Sequence, residues 1–206
     1  MNYFFNLFLL LIAISTNAQT EFKPVQKSQI KDWLKEAAKS NEIDKSKLSR
    51  LWEIHADLDT GSKDANHVYN FGRIIADALQ PGFRLQNHDF TAGAIQLMVQ
   101  AELAYRFAIS ECKCHGRANI MLGLLYNQQK KYYISEPYLE KGLQLPEGSD
   151  DWMIAANQYL LAGAYTYNTK NEKYLKVYKR YKKYASKHKN PYYQKMSTMY
   201  IPYYEQ

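Results

Sequence analysis

The chain has 206 residues, of which 46% are hydrophobic and 23% charged, and a formal charge of +7. Setting aside the leader described below, roughly 188 residues remain, enough for one domain with a real core. No later apolar run is long enough to span a bilayer. Tyrosine is used heavily, 19 residues against 8 Phe and 3 Trp. A Tyr ring fills a helix–helix seam while its hydroxyl stays in water, which suits a thin helical array.

Residues 1–18 carry no charged side chain, and Tyr3 to Ile14 is mainly apolar. Thr16-x-Ala18 places small residues where a signal peptidase needs them, so cleavage is expected between Ala18 and Gln19. The mature chain is then periplasmic or extracellular and not transmembrane. Export brings anionic lipids, acidic polysaccharides and acidic proteins within reach of a basic chain, and speaks against nucleic acid as partner.

From Gln26 onward the apolar spacing is helical and nowhere alternates convincingly with period two. Ile30, Trp33, Leu34 and Ala37 predict a first helix. Leu48, Leu51, Trp52, His55 and Leu58 predict a second, with Asp44 as its cap. After the turn Asp59-Thr60-Gly61-Ser62, a third face runs through Val68, Phe71, Ile74, Ile75, Ala78 and Leu79 to Pro81-Gly82. Phe83 to Phe90 is an irregular connector. Asp89 or Thr91 then caps a helix reaching about Glu111, with Ile95, Met98, Ala101, Ala104, Tyr105 and Ala108 inward. Further helices are expected near 117–129, 132–144, 152–168 and 171–187, and a short one near 192–200 after Asn190-Pro191.

An echo runs through the middle of the chain. Ala101-x-x-x-Tyr105-x-x-Ala108 returns 34 residues later as Ser135-x-x-x-Leu139-x-x-Gly142. Between them, Asn119-x-x-Leu122-Gly123-x-x-Tyr126, followed by Ser135-x-x-x-Leu139 and Pro146, resembles a tetratricopeptide repeat. Leu161-Ala162-x-x-Tyr165 and Tyr174-x-x-x-Tyr178 replay the pattern loosely, with Tyr174 where a small residue is expected. The resemblance covers residues 92–187, about two and a half units. It implies an all-α stack of antiparallel helical hairpins, a superhelical array with extra helices in residues 19–90 and a Tyr-rich tail or closing helix at 188–206. An irregular helical bundle with similar packing is the competing architecture.

In tetratricopeptide arrays the first helix of each pair lines a concave groove. The resemblance therefore implies that Arg117, Ile120, Leu124 and Asn127 face it, joined by Tyr159, Thr166 and Tyr167. Ile120 and Leu124 replace the Lys and Asn by which family members clamp a carboxylate, which argues against that clamp. A protein or peptide segment is the expected partner, in a scaffold or adaptor without enzymatic activity or cofactor. The bland alternative is that these residues pack against the tail or a second copy.

Other constellations are weaker. Cys112, Cys114 and His115 could supply part of a metal site. Export also permits a Cys112–Cys114 disulfide, and plain turn residues are the preferred reading. Lys173, Lys176, Lys179, Arg180, Lys183 and Lys187 form a basic stripe opposite Tyr174, Tyr178, Tyr181 and Ala185. The stripe is either the polar face of a capping helix or, with the Tyr-rich tail, a binder of glycans or anionic surfaces. His55 is expected to be a hydrogen-bonded core residue, and His88-Asp89 a cap. No Gly-rich phosphate loop or nucleophile motif occurs.

Overall fold

The computed structural model describes residues 26–39, 64–78, 91–144, 150–167 and 170–199, and within them eight helices and no strand. They are α1 (Lys27–Lys39), α2 (Ala65–Ala78), α3 (Ala92–Glu111), α4 (Gly116–Gln128), α5 (Tyr132–Gly142), α6 (Asp150–Tyr167), α7 (Glu172–Lys187) and α8 (Pro191–Met199). The expected leader, the helix around Leu48–Leu58 with His55, the connector at 83–90 and Pro146 lie outside the described residues. No described helix is long and apolar enough to cross a membrane.

The helices pack as successive neighbours in an all-α array: α2 with α3, α4 with α5, and α6 with α7, while α1 covers α3 and α8 covers α7. Short corners force the reversals. Only Cys112 to His115 separate α3 from α4, and Gln129 to Lys131 separate α4 from α5. At the second corner the Lys131 N–H reaches Tyr126 O at 2.9 Å and the Lys130 N–H reaches Asn127 O at 2.9 Å. Lys130 itself is left-handed, with φ 58°. That is the Schellman arrangement, which ties off orphan carbonyls at the end of a helix.

Glycines set how closely the paired helices approach. A Cβ at Gly123 would come within 2.6 Å of Leu139 Cγ, so α4 and α5 meet only because it is absent. A Cβ at Gly163 would run into the ring of Tyr174. Tyr174, which stands where the repeat pattern expects a small residue, is wholly buried. The small partner has moved to the facing helix.

Two apolar clusters result. The first joins α1, α2 and α3 to Ala118, Leu122, Leu125 and Tyr126 of α4. The second joins Ile120 and Leu139 to Trp152 and Tyr159 of α6, to Tyr174, Tyr178 and Tyr181 of α7, and to Tyr193 of α8. Helix α4 therefore serves both. One inward assignment on α3 is corrected: Ile95 is 43% exposed, and Leu97 takes the core position. The helix is apolar nearly all round, so periodicity alone did not select its buried face.

Candidate functional site

The first helices of the three pairs border a cleft of about 310 Å³. Helix α2 supplies Arg73, Ala76 and Asp77; α4 supplies Met121, Leu124, Leu125 and Gln128; α6 supplies Asp151 and Ile154. Met121, Leu124, Leu125 and Gln128 recur at three- and four-residue intervals, so one face of α4 forms the apolar wall. Two loose ion pairs edge it. Arg73 Nε lies 3.8 Å from Asp77 Oδ2, and Arg117 Nε lies 3.7 Å from Asp151 Oδ2.

Behind the rim is a packed aromatic group. The rings of Tyr69 and Tyr105 lie 5.9 Å apart, and those of Tyr69 and His115 lie 4.9 Å apart. Burial pushes the Tyr105 hydroxyl well above its ordinary pKa, with Tyr69, Asp77 and Asp151 adding to it and Arg73 opposing. The Tyr105 hydroxyl has no hydrogen-bond partner among the described residues. Burial likewise raises Tyr69, against the pull of Arg73. For Arg73 burial works against the charge, but Tyr69, Asp151 and Asp77 outweigh it and hold the pKa above its usual value. The Arg73 cation thus stands beside the apolar wall of the cleft.

His115 is a structural residue at this end. It caps α4, its Nδ1 accepting from the Ala118 N–H at 3.3 Å. Burial lowers its pKa, helped by the Arg117 charge. The preferred turn reading of the adjacent cysteines is corrected, because Cys112 and Cys114 are joined in a disulfide. Sulfurs bonded to each other are not thiolate ligands. No group of three or more metal-ligating side chains occurs among the described residues.

The seven groove residues expected from sequence do not share one surface. Leu124 lines the cleft, and exposed Arg117 reaches it through Asp151. Ile120 is corrected to the core: it is fully buried, pressed against Gly142. Asn127 is also buried, its Nδ2 donating to Gln158 O at 3.3 Å. Tyr159 is a core residue whose ring lies 5.1 Å from that of Tyr174. Burial and then Glu140 push its hydroxyl up to about 12. Thr166 bonds back to Ala162 O at 2.6 Å and, with Tyr167, stands exposed at the end of α6.

The basic stripe also divides. Lys173 Nζ lies 2.8 Å from buried Glu136 and 3.1 Å from Glu140, and sits over the rings of Tyr159 and Tyr174. The Glu136 hydrogen bond is the main reason the Lys173 pKa is raised. The Tyr174 hydroxyl donates to the same carboxylate at 2.8 Å. Arg180 covers the face of Trp152 at 4.6 Å. Lys176, Lys179, Lys183 and Lys187 remain exposed.

Sequence reasoning missed Arg73, Ala76 and Asp77 because α2 was assigned to the cover of the array rather than to a pair within it. It missed Met121 and Leu125 through an error of about one residue in register, or roughly 100° around a helix. Comparison with known proteins yields no matching family model, no matching curated protein and no matching solved structure.

Proposed function

We propose that this chain is an exported, repeat-like helical adaptor that binds a protein or peptide segment in the cleft between α2, α4 and α6. The observation that carries the reading is the pairing of an apolar wall, Met121, Leu124 and Ile154, with the ion pairs Arg73–Asp77 and Arg117–Asp151 at its edge. An apolar anchor side chain fits the wall, and charged or backbone groups beside it meet the rim. A volume of about 310 Å³ is at the low end for small-molecule sites, roughly 300–1,000 Å³. That supports anchoring a segment rather than enclosing a cofactor.

Selection from a library of unstructured peptides tests this. The chain is expected to enrich an apolar residue flanked by charge. Leu124→Lys should weaken the selected peptide at least about tenfold, the effect of losing burial worth about 1.5–3 kcal/mol, with helicity unchanged. Full binding by that variant overturns the cleft assignment.

A second reading rests on Lys176, Lys179, Lys183 and Lys187, which project to solvent along one side of α7. In this reading the chain binds an acidic polysaccharide or anionic envelope surface. Such binding would be screened by salt and abolished when the four lysines become Gln. Binding that survives those changes excludes it.

A further inference from the structure

We propose that Cys112 and Cys114 form a thiol–disulfide exchange site acting on the thiols and disulfides of protein or peptide substrates. The proposal departs from the expectation of a scaffold without chemistry, and it stands independently of the cleft.

The disulfide spans a separation of only two residues at the corner between α3 and α4. Stabilisation by a cross-link grows with the loop it closes, so a ring around Lys113 alone adds little. The corner is also held without it. The Cys112 N–H donates to Ala108 O at 3.1 Å, the His115 N–H donates to Cys112 O at 2.8 Å, and the Ala118 N–H donates to His115 Nδ1 at 3.3 Å. Opening the S–S bond therefore leaves the frame in place. Cys114 is exposed and Cys112 half-buried. Exposed disulfides are the labile, regulatory or catalytic kind.

The surroundings assign different roles to the two sulfurs. Cys114 stands just before the start of α4, beside Lys113 and within a turn of Arg117. Helix starts and nearby cations favour a thiolate, although Asp151 offsets part of the Arg117 charge. Cys112 sits at the carbonyl end of α3 after Glu111, where a thiolate is disfavoured. Cys114 is therefore the exchanging sulfur, and Cys112 resolves.

A substrate thiolate attacks Cys114 Sγ. The substrate–Cys114 bond forms, the Cys112–Cys114 bond breaks, and its electron pair leaves on Cys112 Sγ, which takes a proton from water. A second substrate thiolate then attacks the substrate sulfur of this mixed disulfide and expels Cys114 as thiolate. The substrate dithiol has lost two electrons and the chain has gained two. A disulfide co-reactant, such as oxidised glutathione, restores the pair by the reverse steps.

The test is reactivation of reduced ribonuclease A by oxidised glutathione, with the purified chain added in catalytic amount. Reactivation should exceed the rate with glutathione alone and return to that rate with Cys114→Ser. Where the Cys114 thiolate instead opens a mispaired ribonuclease disulfide, Cys112 is the sulfur that attacks Cys114 and releases the substrate thiol, so Cys112→Ser should accumulate a ribonuclease mixed disulfide visible on a non-reducing gel. Far-UV circular dichroism checks that both variants are folded. Alkylating the reduced wild-type chain should abolish the gain without any substitution. Reactivation at the glutathione-only rate by the folded wild-type chain, or full activity in Cys114→Ser, overturns the proposal. Neither outcome depends on peptide binding in the cleft.

Discussion

His115 shows how one side chain links a helix start to pH. Its Nδ1 accepts from the Ala118 N–H only while unprotonated, and burial holds its pKa below the usual value. As pH falls, the unfolded chain takes up this proton first. Stability present above about pH 6.5, the ordinary imidazole value, is therefore lost as pH falls through that value toward the folded one. Melting temperatures measured from pH 7.5 to 5 should fall for the wild-type chain and fall less for His115→Asn, which caps a helix without titrating. Lys130 carries a different cost. A left-handed φ of 58° strains any residue with a Cβ, and glycine relieves it. Lys130→Gly should stabilise the chain by about 1 kcal/mol in thermal or urea unfolding. Neither role was legible in advance. His115 stood out in sequence for its neighbouring cysteines, and Lys130 for nothing.

At the level of elements, each seam needs one small residue, and either helix can carry it. Gly123 admits Leu139 in one pair, and Gly163 admits Tyr174 in another. Gly163→Ala should cost about 1–3 kcal/mol by overpacking. Removing the ring in Tyr174→Ala should cancel most of that added penalty, so the two changes will not add in denaturation experiments. Helix positions were readable because apolar residues recur with the helical period in α1, α2 and α7, and because Thr91 and Pro191 mark helix starts. The inward faces of α3, α4 and α6 were harder to read, since those helices are apolar on several sides. The register carried over from the repeat resemblance put Ile120 in an expected groove, whereas it is buried in a seam against Gly142.

Among the described residues, two apolar clusters share α4, the first built mainly on α1, α2 and α3 and the second on α6, α7 and α8. Arrays of this kind lose structure locally rather than all at once. Trp152→Ala should destabilise the second cluster by about 3–5 kcal/mol. Hydrogen exchange should then quicken in α6, α7 and α8 while α1, α2 and α3 keep their protection; equal loss across all helices would contradict a divided core. Among the described residues, the helices, their order and their all-α class could be read from the chain alone, because period, caps and breakers are local properties. Sequence alone did not determine which faces meet. That depends on how far glycine lets each pair close, and a shift of one residue turns a helix face by about 100°. Only the tertiary structure brought Arg73 and Asp77 to the same cleft as Leu124 and Asp151, and buried Glu136 beneath Lys173, because those contacts join residues that no spacing along the chain connects.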